Sequence, residues 1–272
     1  MARKTLFRSV LLLTLALTFA DTDPEQRKIR IRFYGESQCP GCRAFVTQAW
    51  PSIWDDPEFR VALDYDFIAW GNAYFATDEC GKGPDYSSDE RQCWYDKCMS
   101  SQGRDMGRLS TIRAVSDSGD DDCFSGPTVY QHSAKEGQVD IYESCVKDIL
   151  GLDAAVSFTY CCEGGEMENR SLPDATALMK KCIKPSFEAK AVQKCLEERG
   201  HDIEVSNAKQ TPPHPGVPYV TLDGVALDDP MKVKGAVCNR MKQRKIKQPK
   251  ACQGEEIDAI SNQNVLALES CL

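Results

Sequence analysis

Two cysteines separated by two residues, in FYGESQCPGCRAF (residues 33–45), are the side chains of this chain best suited to chemistry. A dithiol moves electrons when one sulfur, as a thiolate, attacks a disulfide and a second resolves the mixed disulfide. At a helix start, Cys39 would face backbone N–H groups and the positive end of the helix dipole, which lower a thiol pKa while leaving the sulfur open. Cys42 would follow one turn later, within reach and shielded. Pro40 suits the first turn, where its missing N–H costs nothing, and Gly41 lets a substrate backbone come close. Zinc is the competing use, but it wants four ligands; Cys93 and Cys98 would have to supply the second pair in a chain with three histidines. A purely structural Cys39–Cys42 bridge closes too small a ring to stabilise much. No metal and no cofactor are expected.

The neighbouring segments must hold this pair. KIRIRF (28–33) alternates apolar and basic residues, as a strand with one wet face does. In CRAFVTQAWPSIW, Ala44, Phe45, Ala49 and Trp50 share a helical face until Pro51 kinks or ends it. In RVALDYDFIAW (60–70), Val61, Leu63, Tyr65 and Phe67 fall on one side, with Asp64 and Asp66 opposite. Strand, cysteine-headed helix, strand predicts the opening of an α/β, thioredoxin-like fold. Such folds place a cis-proline opposite the cysteines, and Val217–Pro218, just before a strand at 219–222, fits that role. Val217 would offer backbone groups to an extended substrate. Asp223–Gly224 reads as a two-residue hairpin turn, 225–227 as the returning strand and 230–241 as the closing helix.

Two insertions interrupt this frame. Residues 74–130 are polar, hold Cys80, Cys93, Cys98 and Cys123, and read as a loop-rich Cys insertion too polar to collapse without disulfides. Residues 140–200 read as a helical insertion, with Ile141, Cys145, Ile149 and Leu152 near one face. Further helices are expected at 171–182 and 187–199, and Gly200 as a stop. Pairing among the other twelve cysteines stays open.

Residues 1–20 begin with Arg3, Lys4 and Arg8 and continue into an apolar run, the pattern of a cleaved secretory signal. The run is short for a membrane span, and no later segment is long and apolar enough to be one. Fourteen cysteines suit a compartment where disulfides persist. A net charge of −8, more negative still without the leader, argues against nucleic acid as a partner. Residues 231–250 carry eight Lys or Arg and no acid, which reads as a solvated helix face. Asn169 heads an Asn-Arg-Ser glycosylation acceptor. The expected layout is a signal peptide (1–20), one thioredoxin-like domain (21–255) with both insertions, and a tail (256–272).

YGESQCPGCRAF, GNA at 71–73, ESCVKDILGLD, RSLP at 170–173 and NAKQTPPHPGVPYVTLDGVALDD occur in this order. Through them the chain resembles the gamma-interferon-inducible lysosomal thiol reductase family, from about residue 29 to 252. The family also carries a longer signature, CQHG followed by EC, N and C at set spacings. Gln131, His132, Glu136 and Cys145 match it, whereas Tyr130, Ser133, Gly137 and Asp140 depart from it. The resemblance implies a thioredoxin-like fold with a helical insertion, Cys39 as nucleophile and Cys42 as resolving thiol. It also implies reduction of protein disulfides in acidic endocytic or lysosomal compartments or outside the cell. Disulfide-bonded proteins would be the substrates, and a small-molecule or protein thiol the electron donor. In acid an ordinary thiol is protonated, so the thiolate needs strong stabilisation. His132 could carry protons there, although a surface or structural role is the preferred reading; His201 and His214 receive no role. Two rivals stand: a secretory-pathway oxidase or isomerase on the same fold, and a non-catalytic disulfide-rich binding module.

Overall fold

The computed structural model describes residues 28–99, 121–165 and 174–254. The leader, residues 100–120 of the Cys insertion, Asn169 and the tail from 256 lie outside the described residues.

Alternation produces β1 (Ile29–Gly35), which turns Ile29, Ile31 and Phe33 into the core. Arg30 and Arg32 stay on the wet face, where both reach Asp64 Oδ2, at 3.3 and 3.2 Å. After a four-residue loop the chain enters α1 (Pro40–Ala44) and continues as a π-helical turn over Phe45–Ala49 before α2 (Pro51–Trp54). Pro51 cannot donate to the preceding turn, and its ring would crowd the carbonyl four residues back. The widened turn, closed by Trp50 N–H to Phe45 O at 2.8 Å, accommodates it without breaking the helix. Asp56 then caps α3 (Pro57–Arg60) by accepting from Glu58 N–H. β2 (Leu63–Ala69) lies parallel to β1, from Ile29↔Leu63 to Gly35↔Ala69. Val61, expected on its buried face, precedes the strand and is 75% exposed.

The next segment contains β3 (Tyr74–Phe75), α4 (Ser88–Trp94), α5 (Asp121–Phe124) and β4 (Thr128–Val129), with β3 and β4 antiparallel. Cys80–Cys93 and Cys98–Cys123 staple it. Contrary to the sequence expectation, it also has an apolar core: Trp70, Tyr74, Phe75, Trp94, Tyr95 and Phe124 gather with Tyr34 and Ile68 from the central strands. These aromatics are widely spaced along the chain, so no periodicity announces the cluster, yet each buries a large area.

Four helices follow: α6 (Ala134–Leu150), α7 (Leu152–Gly165), α8 (Ala175–Cys182) and α9 (Ser186–Gln210). Gly151, at φ 87°, makes the sharp break between α6 and α7. Cys145–Cys195 ties α6 to α9, and Cys161–Cys182 ties α7 to α8. Gly200 does not stop α9, which runs on to Gln210. The downstream turns bury Ile203, Asn207 and Ala208, and this burial outweighs the roughly 1 kcal/mol that a helical glycine costs.

The chain returns through β5 (Tyr219–Leu222) and β6 (Val225–Ala226), then α10 (Val233–Gln243). Asp223 and Gly224 turn between the strands with φ of 52° and 83°, the both-positive geometry of a tight hairpin. β5 pairs antiparallel with β1, giving the order β2-β1-β5-β6. One parallel pair extended by an antiparallel hairpin, with the cysteine-headed helix crossing between β1 and β2, is a thioredoxin-like architecture. Part of the basic run is engaged: Arg240 and Arg244 approach Asp223 at 3.2 and 3.4 Å, and Arg244 also donates to Lys28 O. No helix among the described residues is long and apolar enough to cross a membrane.

Asn207 fastens α9 to both the sheet and α6, donating through Nδ2 to Ala69 O and Ser144 Oγ, each at 2.9 Å. Replacing Asn207 with Ala leaves a buried carbonyl unpaired. It should lower the free energy of unfolding by about 1–3 kcal/mol in a denaturant titration.

Candidate active site

Cys39 occupies the cap position of α1 with extended backbone (φ −73°, ψ 122°), and the backbone N–H of Cys42 points at its sulfur at 3.4 Å. The Val217–Pro218 bond is cis, and Val217 O lies 3.8 Å from Cys39 Sγ. Chain positions 178 residues apart thus meet at one sulfur. The structure differs from the expectation of an open thiol at Cys39. The residue is fully covered, and its sulfur is disulfide-bonded, though not to Cys42. Cys42, one turn on, is a free, buried thiol. Burial first, then the charge of Glu36, push the Cys42 pKa well above its ordinary value, although the Glu36 backbone N–H pulls the other way. Cys93 and Cys98, the residues a zinc site would have borrowed, are each taken by a disulfide.

Glu36, three residues before Cys39, is the residue that sequence reasoning overlooked. Its side chain is completely buried. Its Oε2 accepts from the backbone N–H of Asn72 at 2.7 Å, while Oε1 has no hydrogen-bond partner. Gly71 must be glycine to allow this: φ is +57°, and a Cβ there would lie 2.1 Å from Glu36 Oε2. Asn72 Nδ2 in turn donates to Gln131 Oε1 at 2.6 Å. The motifs GNA and QH, about sixty residues apart, are therefore two sides of one carboxyl-binding loop. The signal was present in the sequence as a lone acid in an otherwise neutral run, YGESQCPGC.

The start of α6 is strapped onto the same loop. Glu136, fully buried, accepts from the backbone N–H groups of Gln131 and His132 at 3.2 and 2.9 Å. Ser37 donates through N–H to Asp140 Oδ1 at 2.8 Å and through its hydroxyl to Glu136 O at 3.0 Å. These bonds fix the backbone of His132, which stays at the surface as the preferred sequence reading had it while its ring reaches the buried Glu36. Its Nε2 is 3.4 Å from Glu36 Oε1, and Glu36, Cys39 and His132 bring their ligand-type atoms within 4.8 Å of one another. His201, by contrast, is exposed on α9 and faces Phe75 edge-on.

Below Cys42, a cavity of about 10 Å³ is lined by Cys42, Glu36, Glu143, Thr159 and Glu163 among others. One oxygen each of Glu143, Thr159 and Glu163 is buried there without a hydrogen bond. Burial raises the Glu163 pKa to about 8; the Asp140 charge adds to this, while Arg43 and the Gln38 N–H oppose it. Glu136, Asp140 and Glu143 are also raised, chiefly by burial. His214 moves the other way, down to about 4, because it is buried and because Arg91, with Nη2 2.9 Å from its Nε2, carries a like charge.

A family model described as gamma interferon inducible lysosomal thiol reductase (GILT) matches residues 30–107. An Arabidopsis thaliana protein named gamma-interferon-responsive lysosomal thiol protein is 25% identical over 252 residues, spanning 88% of this chain and 82% of its own. Among solved structures, oxidised BdbD from Bacillus subtilis aligns with a TM-score of 0.45 at 10% identity, covering 82% of this chain and 90% of that one.

Two outcomes follow from the packing and the charges. Gly71→Ala should cost more stability than Gly224→Ala, whose added Cβ meets nothing within 4 Å despite a φ of +83°. Denaturation midpoints compare the two, with an expected cost of about 1–3 kcal/mol at position 71. A carboxyl raised in the folded state contributes stability that is complete below its unfolded pKa and lost as pH rises through the folded value. For Glu163 that window runs from 4.5 to about 8. His214, depressed in the folded state, contributes above 6.5 and loses its contribution as pH falls toward about 4. Above about pH 6.5 the His214 contribution is complete and only the carboxyl loss continues, so the melting temperature should drop on going from about pH 6.5 to about 8. Glu163→Gln should flatten that drop.

Proposed function

We propose that the chain, similar to the gamma interferon inducible lysosomal thiol reductase family over residues 30–107, is a thiol–disulfide oxidoreductase that reduces protein disulfides through Cys39 and Cys42. The observation that carries the reading is the arrangement at one sulfur. Cys39 caps a helix, the N–H of Cys42 faces it, and Val217 ahead of a cis-proline presents its carbonyl beside it. In the reduced enzyme the Cys39 thiolate attacks one sulfur of a substrate disulfide, and the other leaves as a thiolate that takes a proton from solvent. Cys42 then gives up its proton and attacks Cys39 Sγ, expelling the second substrate sulfur and leaving a Cys39–Cys42 disulfide. Two electrons pass to the substrate, and a small-molecule or protein thiol donor restores the dithiol. Val217 and Pro218 are the substrate-binding edge, pairing with an extended segment around the disulfide.

The working place is the secretory pathway, ending in an acidic lysosomal compartment or outside the cell. The five disulfides joining described residues suit that route. The raised carboxyls fit an acidic destination, because their contribution to stability is complete only at low pH. Residues 1–20 act as the signal peptide, Asn169 carries a glycan, and 21–255 form the catalytic domain.

Cys39→Ser should abolish reduction of a denatured, disulfide-bonded substrate at about pH 5. Cys42→Ser should accumulate a mixed disulfide, visible as a thiol-sensitive adduct on non-reducing electrophoresis. Full turnover by the Cys39→Ser protein would end this reading. A strongly oxidising potential for the pair would turn it toward the oxidase or isomerase.

A further inference from the structure

We infer that, once the Cys39 disulfide is opened, Glu36, Cys39 and His132 form a three-ligand site for a zinc-type divalent cation, and that occupancy of this site blocks the thiol. Binding rests on the geometry alone; only the block rests on Cys39 being the nucleophile.

The three ligand-type atoms already lie within 4.8 Å of one another. The 3.4 Å between His132 Nε2 and Glu36 Oε1 is long for a good N–H···O bond. It does match the edge of a tetrahedron whose metal–ligand bonds are about 2.0–2.2 Å. Glu36 Oε1 is buried with no hydrogen-bond partner, a costly state for a carboxyl oxygen that a cation would relieve. Its companion Oε2 is tied to Asn72 N–H at 2.7 Å, so the group is held in place and aimed. The His132 main chain is anchored by Glu136, whereas its ring keeps 26% of its surface in solvent and gives a route in. One sulfur, one imidazole nitrogen and one carboxyl oxygen suit zinc better than calcium or magnesium, which prefer all-oxygen sites. Three protein ligands leave a fourth position for water or a substrate sulfur.

The site is gated by redox state. Cys39 in a disulfide has no thiolate to offer. A thiol or phosphine reductant must first cleave that bond, adding two electrons and two protons. The freed Cys39 thiol then releases its proton as the sulfur–metal bond forms. This departs from the expectation that the chain binds no metal, because that expectation looked for paired cysteines and did not weigh Glu36.

The test uses the full chain, treated with phosphine under conditions that preserve the five structural disulfides and then freed of reductant. Zinc is titrated against a chromophoric chelator, and cobalt(II) serves as the spectroscopic stand-in. Reduced wild type should bind one equivalent with a sulfur–cobalt charge-transfer band, and the oxidised protein none. Cys39→Ser should abolish that band, and His132→Ala and Glu36→Gln should each weaken binding at least about tenfold. Cys42→Ser should bind as wild type does. Failure of the reduced wild type to bind would overturn the inference. So would a site lost in Cys42→Ser but intact in His132→Ala, which marks a simple dithiol chelate. If Glu36→Gln does not fold, His132→Ala, altered at a solvent-reaching ring, decides the matter. A reductase that fails its own cysteine test would leave the binding result standing, and absence of binding would leave the reductase reading untouched.

Discussion

The side chain of Glu36 points into the protein instead of out to water, and the surrounding loops are built around that choice. A buried carboxyl group demands donors. One comes from Asn72 N–H, which can reach it only because Gly71 has no side chain and adopts a left-handed backbone. Asn72 then holds Gln131, Gln131 and His132 are tied by Glu136, and Glu136 begins α6. The cysteine-bearing loop, the turn after β2 and the first inserted helix are therefore positioned by one hydrogen-bonded circuit. A small shift at Glu36 would be felt at Cys39, at His132 and at the head of α6.

The same preference for buried acids continues beneath Cys42. Glu143 comes from α6, and Thr159 and Glu163 from α7, so the helical segment supplies the floor under the Cys42 thiol. A thiol in such surroundings stays protonated until something draws the proton away, which separates its behaviour from that of a sulfur capping a helix. The inserted helices thus set the chemistry of the pair rather than merely covering it.

Much of this was readable from residue order. The alternation in β1 and β2, the proline after Cys42 and the Asp223–Gly224 turn act locally, and local rules found them, whereas the proline before β5 was found from the context of the fold. Three features are decided at a distance. Gly200 looks like a stop because the rule sees only the helix, whereas the buried turns around Ile203 and Asn207 carry α9 onward. The aromatic cluster of Trp70, Phe75, Trp94 and Phe124 has no period, since its members come from separate turns and short strands. His132 looked like one more polar residue until folding placed Glu36 and Cys39 beside it. The covalent state of Cys39 was equally out of reach, because spacing alone does not say which sulfurs meet.

Disulfides that hold a fold are only as durable as they are out of reach of external thiols. Four of the five bridges joining described residues hold at least one sulfur-bearing residue in the interior: Cys145 and Cys195 on the α6–α9 staple, Cys80, Cys98 and Cys238 on the others. Attack on a disulfide needs a thiolate in line with the bond, so a buried sulfur is protected by inaccessibility rather than by bond strength, most fully at Cys145–Cys195, where both partners are buried. Cys161–Cys182 is different, with both partners partly at the surface. Of the five it is the bridge most open to an external thiol, and it is the one that ties α8 to α7.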